Sequence, residues 1–181
     1  MEFDVSRSEL SQPLALEPRR SARRQVQRRG VVRVARTFAT SPERVFDAWL
    51  DPAGVGKWLF AVASRPLARV TLDARVGGAF RLVDRHDGKR VEHAGEYVEI
   101  QRPRRLVFTL STQGDSRAWA RVTIVTIDIV SRSGGCELIL AHENVPMEHG
   151  ILTENRWTGI LYGLQMTLGT RREVSARYFS G

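Results

Sequence analysis

The 181-residue chain reads as an α+β domain: a curved antiparallel sheet of about six to seven strands wrapped around one long C-terminal helix, with short helices after the first strand. Three observations carry that reading. Strand-like segments succeed one another through the middle of the chain, broken by Gly77-Gly78, Asp87-Gly88, Arg102-Pro103 and Ser133-Gly134-Gly135, all with turn chemistry. The apolar period then changes: Trp157, Ile160, Leu161, Leu164 and Leu168 fall at helical spacing. Ahead of the strands, Thr40-Ser41-Pro42-Glu43 has the make-up of a helix start.

Residues 1–30 are set apart as an arm that is expected to be disordered or frayed, because its few large apolar side chains cannot offset the entropy of ordering it. From Val31 the residues alternate, with Val32, Val34, Arg36 and Phe38 on one face of a partly buried strand. Ser41 then caps a helix, Pro42 fits its first position, and Glu43 lies well against the helix dipole. Val45, Phe46 and Trp49 share the inner face of that helix, and Asp51-Pro52 ends it. A short irregular stretch, 54–60, carries Trp58 and Phe60.

Strands are expected at about 66–73, 79–86, 90–100, 104–111, 118–131 and 135–143. Asp87-Gly88 suits a two-residue type I′ hairpin, which would place Phe80 opposite Gly95 and Leu82 opposite His93. That register also opposes Arg85 to Arg90, a like-charge pair that disfavours it and leaves a longer loop as the alternative. It sets Glu96 diagonal to Arg81, as an exposed ion pair. The final helix, about 150–172, carries Gly159 and Gly163 one turn apart, a spacing expected where a helix approaches a sheet or ligand closely. The domain is thus drawn at 31–172, with a tail at 173–181.

Charge is the unusual quantity. The chain has 28 Lys+Arg against 20 Asp+Glu, a net +8, yet only Lys57 and Lys89 are lysines. Arginine used almost throughout reads more as a genome-wide codon bias than as a site. Residues 1–17 carry −3, 18–30 carry +6, and 31–181 only +5. Nucleic-acid binding is therefore not expected outside the 18–30 stretch, and that stretch has no interleaved aromatic for base stacking. No run approaches the roughly 20 apolar residues of a membrane helix, and no signal-peptide core is visible, so a cytoplasmic protein without a membrane partner is expected. The single Cys136 excludes a disulfide scaffold.

Catalytic constellations are sparse. Cys136 and His142 lie on one face of one strand, about 20 Å apart, too far for a nucleophile–base pair. His86, His93, His142 and His149 have no metal-ligand spacing, so no cofactor or metal is expected. His142 follows Leu138 and Leu140 on an inward face, and His93 shares a face with Phe80, Leu82 and Tyr97. Each is either a hydrogen-bonded core histidine or a polar group that orients a ligand. His149 is expected to be exposed, in the loop before the last helix. Gly77-Gly78 lacks the Lys-Ser/Thr and the helix of a phosphate loop. The aromatics Trp58, Phe60, Phe80, Tyr97, Phe108 and Trp157 are the stronger lead: they form either a solid core or the walls of an apolar pocket.

Taken in order, several segments resemble the START-like helix-grip superfamily, and within it the branch related to the activator of heat-shock protein 90 ATPase. They begin with Ser41-Pro42-Glu43-Arg44-Val45-Phe46, Ala48-Trp49-Leu50-Asp51-Pro52 and Lys57-Trp58. Arg75-Val76-Gly77-Gly78-Ala79-Phe80-Arg81, Gly95-Glu96-Tyr97-Val98-Glu99-Ile100 and Pro103-Arg104-Arg105-Leu106-Val107-Phe108-Thr109 follow. Leu140-Ala141-His142-Glu143 and Arg156-Trp157-Thr158-Gly159-Ile160-Leu161 complete them. The resemblance spans about 31–170 and departs at one place. The branch commonly follows the Trp58 position with a second Trp and a Gly-Pro pair, where this chain has Leu59-Phe60-Ala61.

The resemblance implies a helix-grip fold and, with no catalytic set in view, a non-enzymatic module that holds a small hydrophobic or aromatic ligand between sheet and helix. Trp58, Phe60, Phe80, Phe108, Trp157 and Leu161 would wall the site, and His93, Tyr97 and His142 would supply its polar contacts. Two alternatives come with the same resemblance. One is a co-chaperone-like partner of a heat-shock protein 90-type ATPase, with a homodimer as another partner. The other is a polyketide cyclase-like enzyme, because this fold serves unrelated tasks.

Overall fold

The structure is a computed structural model that describes residues 28–60, 67–86, 89–114 and 121–170. The arm through residue 27, the Asp87-Gly88 turn and the tail from residue 171 therefore lie outside the described residues. Seven antiparallel strands form a single sheet: β1 (Arg29–Phe38), β2 (Arg69–Leu72), β3 (Ala79–His86), β4 (Lys89–Gln101), β5 (Arg105–Gln113), β6 (Thr123–Arg132) and β7 (Gly135–Pro146). Their order across the sheet is β1-β7-β6-β5-β4-β3-β2, so all but β1 lie beside their chain neighbours. Helix α1 (Pro42–Leu50) follows β1, a 3-10 turn occupies Val55–Lys57, and α2 (Gly150–Thr170) ends the described chain.

Local chemistry accounts for these elements. The Ser41 hydroxyl accepts from the Arg44 amide at 3.4 Å and Pro42 opens α1, which buries Val45, Phe46 and Trp49. Along β1, Val32 and Phe38 turn into the core while Arg33, Ala35 and Thr37 face out. Arg36, on the inner face, donates to Gln165 Oε1 of α2 at 2.9 and 2.6 Å, and Gln165 Nε2 donates to the Thr37 carbonyl at 3.0 Å. β1 starts at Arg29, two residues before the expected boundary, because Arg29 pairs with Pro146 and its guanidinium donates to the Asn144 carbonyl.

The inner face of the sheet and α2 enclose one core. Trp157, Ile160, Leu161 and Leu164 are buried on the helix, against Phe108, Leu110, Val125, Ile127, Leu138 and Leu140 of the strands. Only one of the two helix glycines makes the close approach expected of both: a Cβ at Gly163 would meet the Trp58 backbone and Cβ within 4 Å, whereas Gly159 is exposed with nothing so near. A closer approach occurs at Gly95, where a Cβ would lie 1.8 Å from the Thr109 carbonyl and 2.8 Å from the tip of the Phe80 ring. Glycine is required there so that Phe80 can lie across the strand.

The β3–β4 register is the two-residue one, with Phe80 opposite Gly95, Leu82 opposite His93, and Arg85 opposite Arg90. The like-charge objection fails because Glu92 stands diagonal to Arg85 and two residues from Arg90 on the same face. Its carboxylate, 1% exposed, pairs with Arg81 at 2.5 Å and with Arg90. Arg81 thus takes Glu92 rather than the expected Glu96, and the ion pair is buried on its acidic side.

Candidate functional site

Two spaces adjoin the inner face of the sheet, one beside α1 and the residues that follow it, the other under α2. The inner one is walled by Trp49, Leu59, Phe60, Leu72, Phe80, Leu82, Tyr97, Leu106 and Phe108, and its free volume is about 10 Å³. That is roughly enough for a single water and for no ligand. The aromatic rings fill it: Phe80 and Phe108 meet edge-to-face at 5.5 Å, Phe80 and Tyr97 lie 5.6 Å apart, and Trp49 is T-shaped to Trp58 at 4.8 Å. Burial pushes the Tyr97 hydroxyl up to about 12, so it stays neutral. The Trp49 indole N–H is buried with no acceptor among the described residues.

The second space is an open cleft of about 230 Å³ at the end of the sheet, under the N-terminal half of α2. Leu110 and Thr112 of β5, Thr123 of β6, and His142, Val145 and Pro146 of β7 form its sheet side. Leu152, Thr153, Arg156 and Trp157 of α2 form the other, and Phe60, Arg121 and His149 border it. Of the nine residues expected at a ligand site, the structure brings Phe60, His142 and Trp157 to this cleft. Phe60, Phe80, Tyr97 and Phe108 line the closed inner space, while Trp58 and Leu161 pack in the core and His93 lies behind Phe60.

Phe60 is the partition between the two spaces. Its ring stacks on His93 with centroids 3.9 Å apart and lies 5.7 Å from Trp157. Its backbone has φ of 57°, in the left-handed region where glycine is at ease and phenylalanine is not. This is the position at which the resembled branch commonly has glycine.

The two inward histidines are held neutral. Trp157 Nε1 donates to His142 Nδ1 at 3.0 Å, and His142 Nε2 lies 2.8 Å from Thr123 Oγ1. The Thr123 hydroxyl donates its proton to the Leu110 carbonyl at 2.8 Å, so Oγ1 must accept from His142. The bonding pattern assigns the Nε2–H tautomer, and both ring nitrogens are satisfied by the protein itself. Desolvation pulls the His142 pKa down to about 4. His93, whose Nδ1 is 3.0 Å from Thr112 Oγ1, is also lowered to about 4, first by desolvation and then by the charge of Arg156.

Other chemistry is not assembled. Cys136 is buried, and desolvation followed by the Glu43 carboxylate raises its thiol pKa. Among the described residues no group of three or more His, Cys, Asp or Glu is placed to hold a metal ion, and no helix is long and apolar enough to cross a membrane. The cleft residues that sequence reasoning missed include Thr112, Arg121, Thr123 and Arg156. Their periodicity gave no signal, because each takes its place only through the register of β5 with β6 and the seating of α2.

A seven-stranded antiparallel sheet gripping a C-terminal helix defines this as a START-like, helix-grip domain. Residues 39–169 match the family described as "Activator of Hsp90 ATPase homolog 1-like protein", and the chain belongs to that family. No curated protein matches the sequence. Solved structures with the same fold include an uncharacterized protein from Rhizobium leguminosarum, 17% identical with a TM-score of 0.71, covering 79% of this chain and 96% of that one. Protein CV1439 from Chromobacterium violaceum is 28% identical, with a TM-score of 0.61 over 75% of this chain and 95% of its own. DynU16, a protein in the dynemicin biosynthetic locus, is 20% identical with a TM-score of 0.60, covering 77% of this chain and 47% of that one.

Proposed function

We propose that this domain binds a small apolar or aromatic molecule, without transforming it, in the cleft beside Trp157. The observation that carries this reading is the cleft's composition: Trp157, Phe60, Leu110, Val145, Pro146 and Leu152 give it apolar walls, and polar groups border it at a few points. Its volume of about 230 Å³ is below the usual range of roughly 300–1,000 Å³, which favours single- or fused-ring compounds over long-chain lipids. Binding is favoured over catalysis because His142 has both nitrogens committed to Trp157 and Thr123, and Cys136 lies in the core away from the cleft.

Titration with small aromatic, flavonoid-like, polyketide and lipid compounds, followed by tryptophan emission, tests the proposal. A saturable change is expected for the small aromatic compounds, accompanied by NMR shifts at His142 and Trp157. A library that produces neither sinks the reading.

A further inference from the structure

We infer that the cleft's ligand is an anion, an aryl or short alkyl carboxylate whose apolar body lies against Trp157 and Leu110 while its charge faces Arg121 and Arg156. This rests on the ligand-binding reading above and specifies the chemical class of that ligand. Arg121 and Arg156 both line this cleft, one from the segment just before β6 and the other from α2. Both are exposed, and neither forms a hydrogen bond or ion pair with another described residue.

Arg33, Arg69 and Arg85 of the sheet likewise have no ion pair with a described residue, but they do not line this cleft, and the other sheet arginines are paired or hydrogen-bonded. Arg81 and Arg90 hold Glu92, Arg102 holds Asp47, Arg105 holds Glu99 and Asp128, and Arg132 holds Glu137. No Asp or Glu is among the described residues that line the cleft. Two guanidinium groups over an apolar floor, with no carboxylate among the described residues lining the cleft, fit an external carboxylate by charge and by planar hydrogen bonding. The first turn of α2, which contributes Leu152 and Thr153, adds the positive end of the helix dipole. The field reaches inward as well, since the charge of Arg156 contributes to keeping His93 neutral. A neutral aromatic ligand would leave both guanidinium groups unused. A cationic one would meet repulsion.

The test compares naphthalene-2-carboxylate with naphthalene-2-carboxamide, which shares its shape without the charge, by calorimetry on the full chain. The carboxylate is expected to bind about tenfold or more tighter than the amide. R121Q/R156Q should bring it to the amide's affinity and leave the amide unchanged. Because both arginines are exposed, the variant should unfold at the native temperature, and a thermal melt checks this. Added salt should weaken only the carboxylate. Equal affinities for the two compounds would overturn the charge inference while the apolar-ligand reading stands. A carboxylate preference that survives in R121Q/R156Q would overturn the assignment to these residues. Binding of neither compound would overturn both readings.

Discussion

The Trp157 indole N–H donates to Nδ1 of His142 at 3.0 Å, and it is the first bond of a one-way chain running through Thr123 to the Leu110 carbonyl. Each donor in that chain is used once, so no member can be altered without leaving a polar group unpaired beside the cleft. Thr123→Val keeps the shape but strands the His142 Nε2–H and the Leu110 carbonyl. It should cost about 1–3 kcal/mol, measured by urea unfolding. Trp157→Phe should cost at least about 2 kcal/mol, through the lost donor and the smaller ring. It should also raise the His142 pKa from about 4 towards 6.5, because no N–H then faces Nδ1; an NMR titration reads this directly.

Stability should fall in mild acid, and the sign follows from the two buried histidines. His93 and His142 titrate near 4 in the folded protein and near 6.5 when exposed, so the unfolded chain takes up protons first. Their contribution is complete above about pH 6.5 and is lost as pH falls from there towards 4. At pH 5 each histidine should have removed about 2 kcal/mol. Urea midpoints at pH 7.5 and pH 5 measure the loss, and His142→Gln should reduce it by about half. An unchanged pH slope in that variant would remove His142 from the account.

Phe60 makes the backbone prediction. At φ of 57°, Phe60→Gly and Phe60→Ala both lose the stacking on His93, but only glycine relieves the strain. Phe60→Gly should therefore be more stable than Phe60→Ala by about 1 kcal/mol, the reverse of the order at ordinary positions. Either change also removes the partition between the inner space and the cleft. Ligands one ring larger than the native limit should then bind, as a titration series of increasing size would show.

Glu92 supplies the electrostatic prediction. Glu92→Gln leaves Arg81 and Arg90 without their common anion, with Arg85 opposite Arg90 in the register. It should destabilise the fold by about 1–3 kcal/mol, moderated because the arginines are half exposed. Arg81→Ala should cost less, since Arg90 still holds the carboxylate. The Glu92→Gln deficit should narrow as salt is raised in equilibrium unfolding. A deficit indifferent to salt would point to lost packing instead.

Much of this architecture was legible in the residues. Ser41-Pro42-Glu43 announced α1, strand alternation gave the inward faces, and Phe80 opposite Gly95 followed from counting outward from Asp87-Gly88. Those signals are local, set by capping chemistry and by the two periods of strand and helix. The partner of Arg81 was not legible, because Glu92 and Glu96 stand at equivalent diagonal positions and only packing on the outer face of the sheet separates them.

The same division holds for the site. By itself the sequence determined the fold, the aromatic content of the core, and the inward direction of His93, His142 and Trp157. It left open whether those aromatics enclosed a pocket or a solid core, because side-chain type gives volume but not how the volumes interlock. Tertiary structure decided that: the rings close the deep interior to about 10 Å³, and the usable space lies at the end of the sheet. Arg121 and Arg156 are 35 positions apart in the chain and belong to no common period, so their meeting at one cleft is a product of strand register and helix seating.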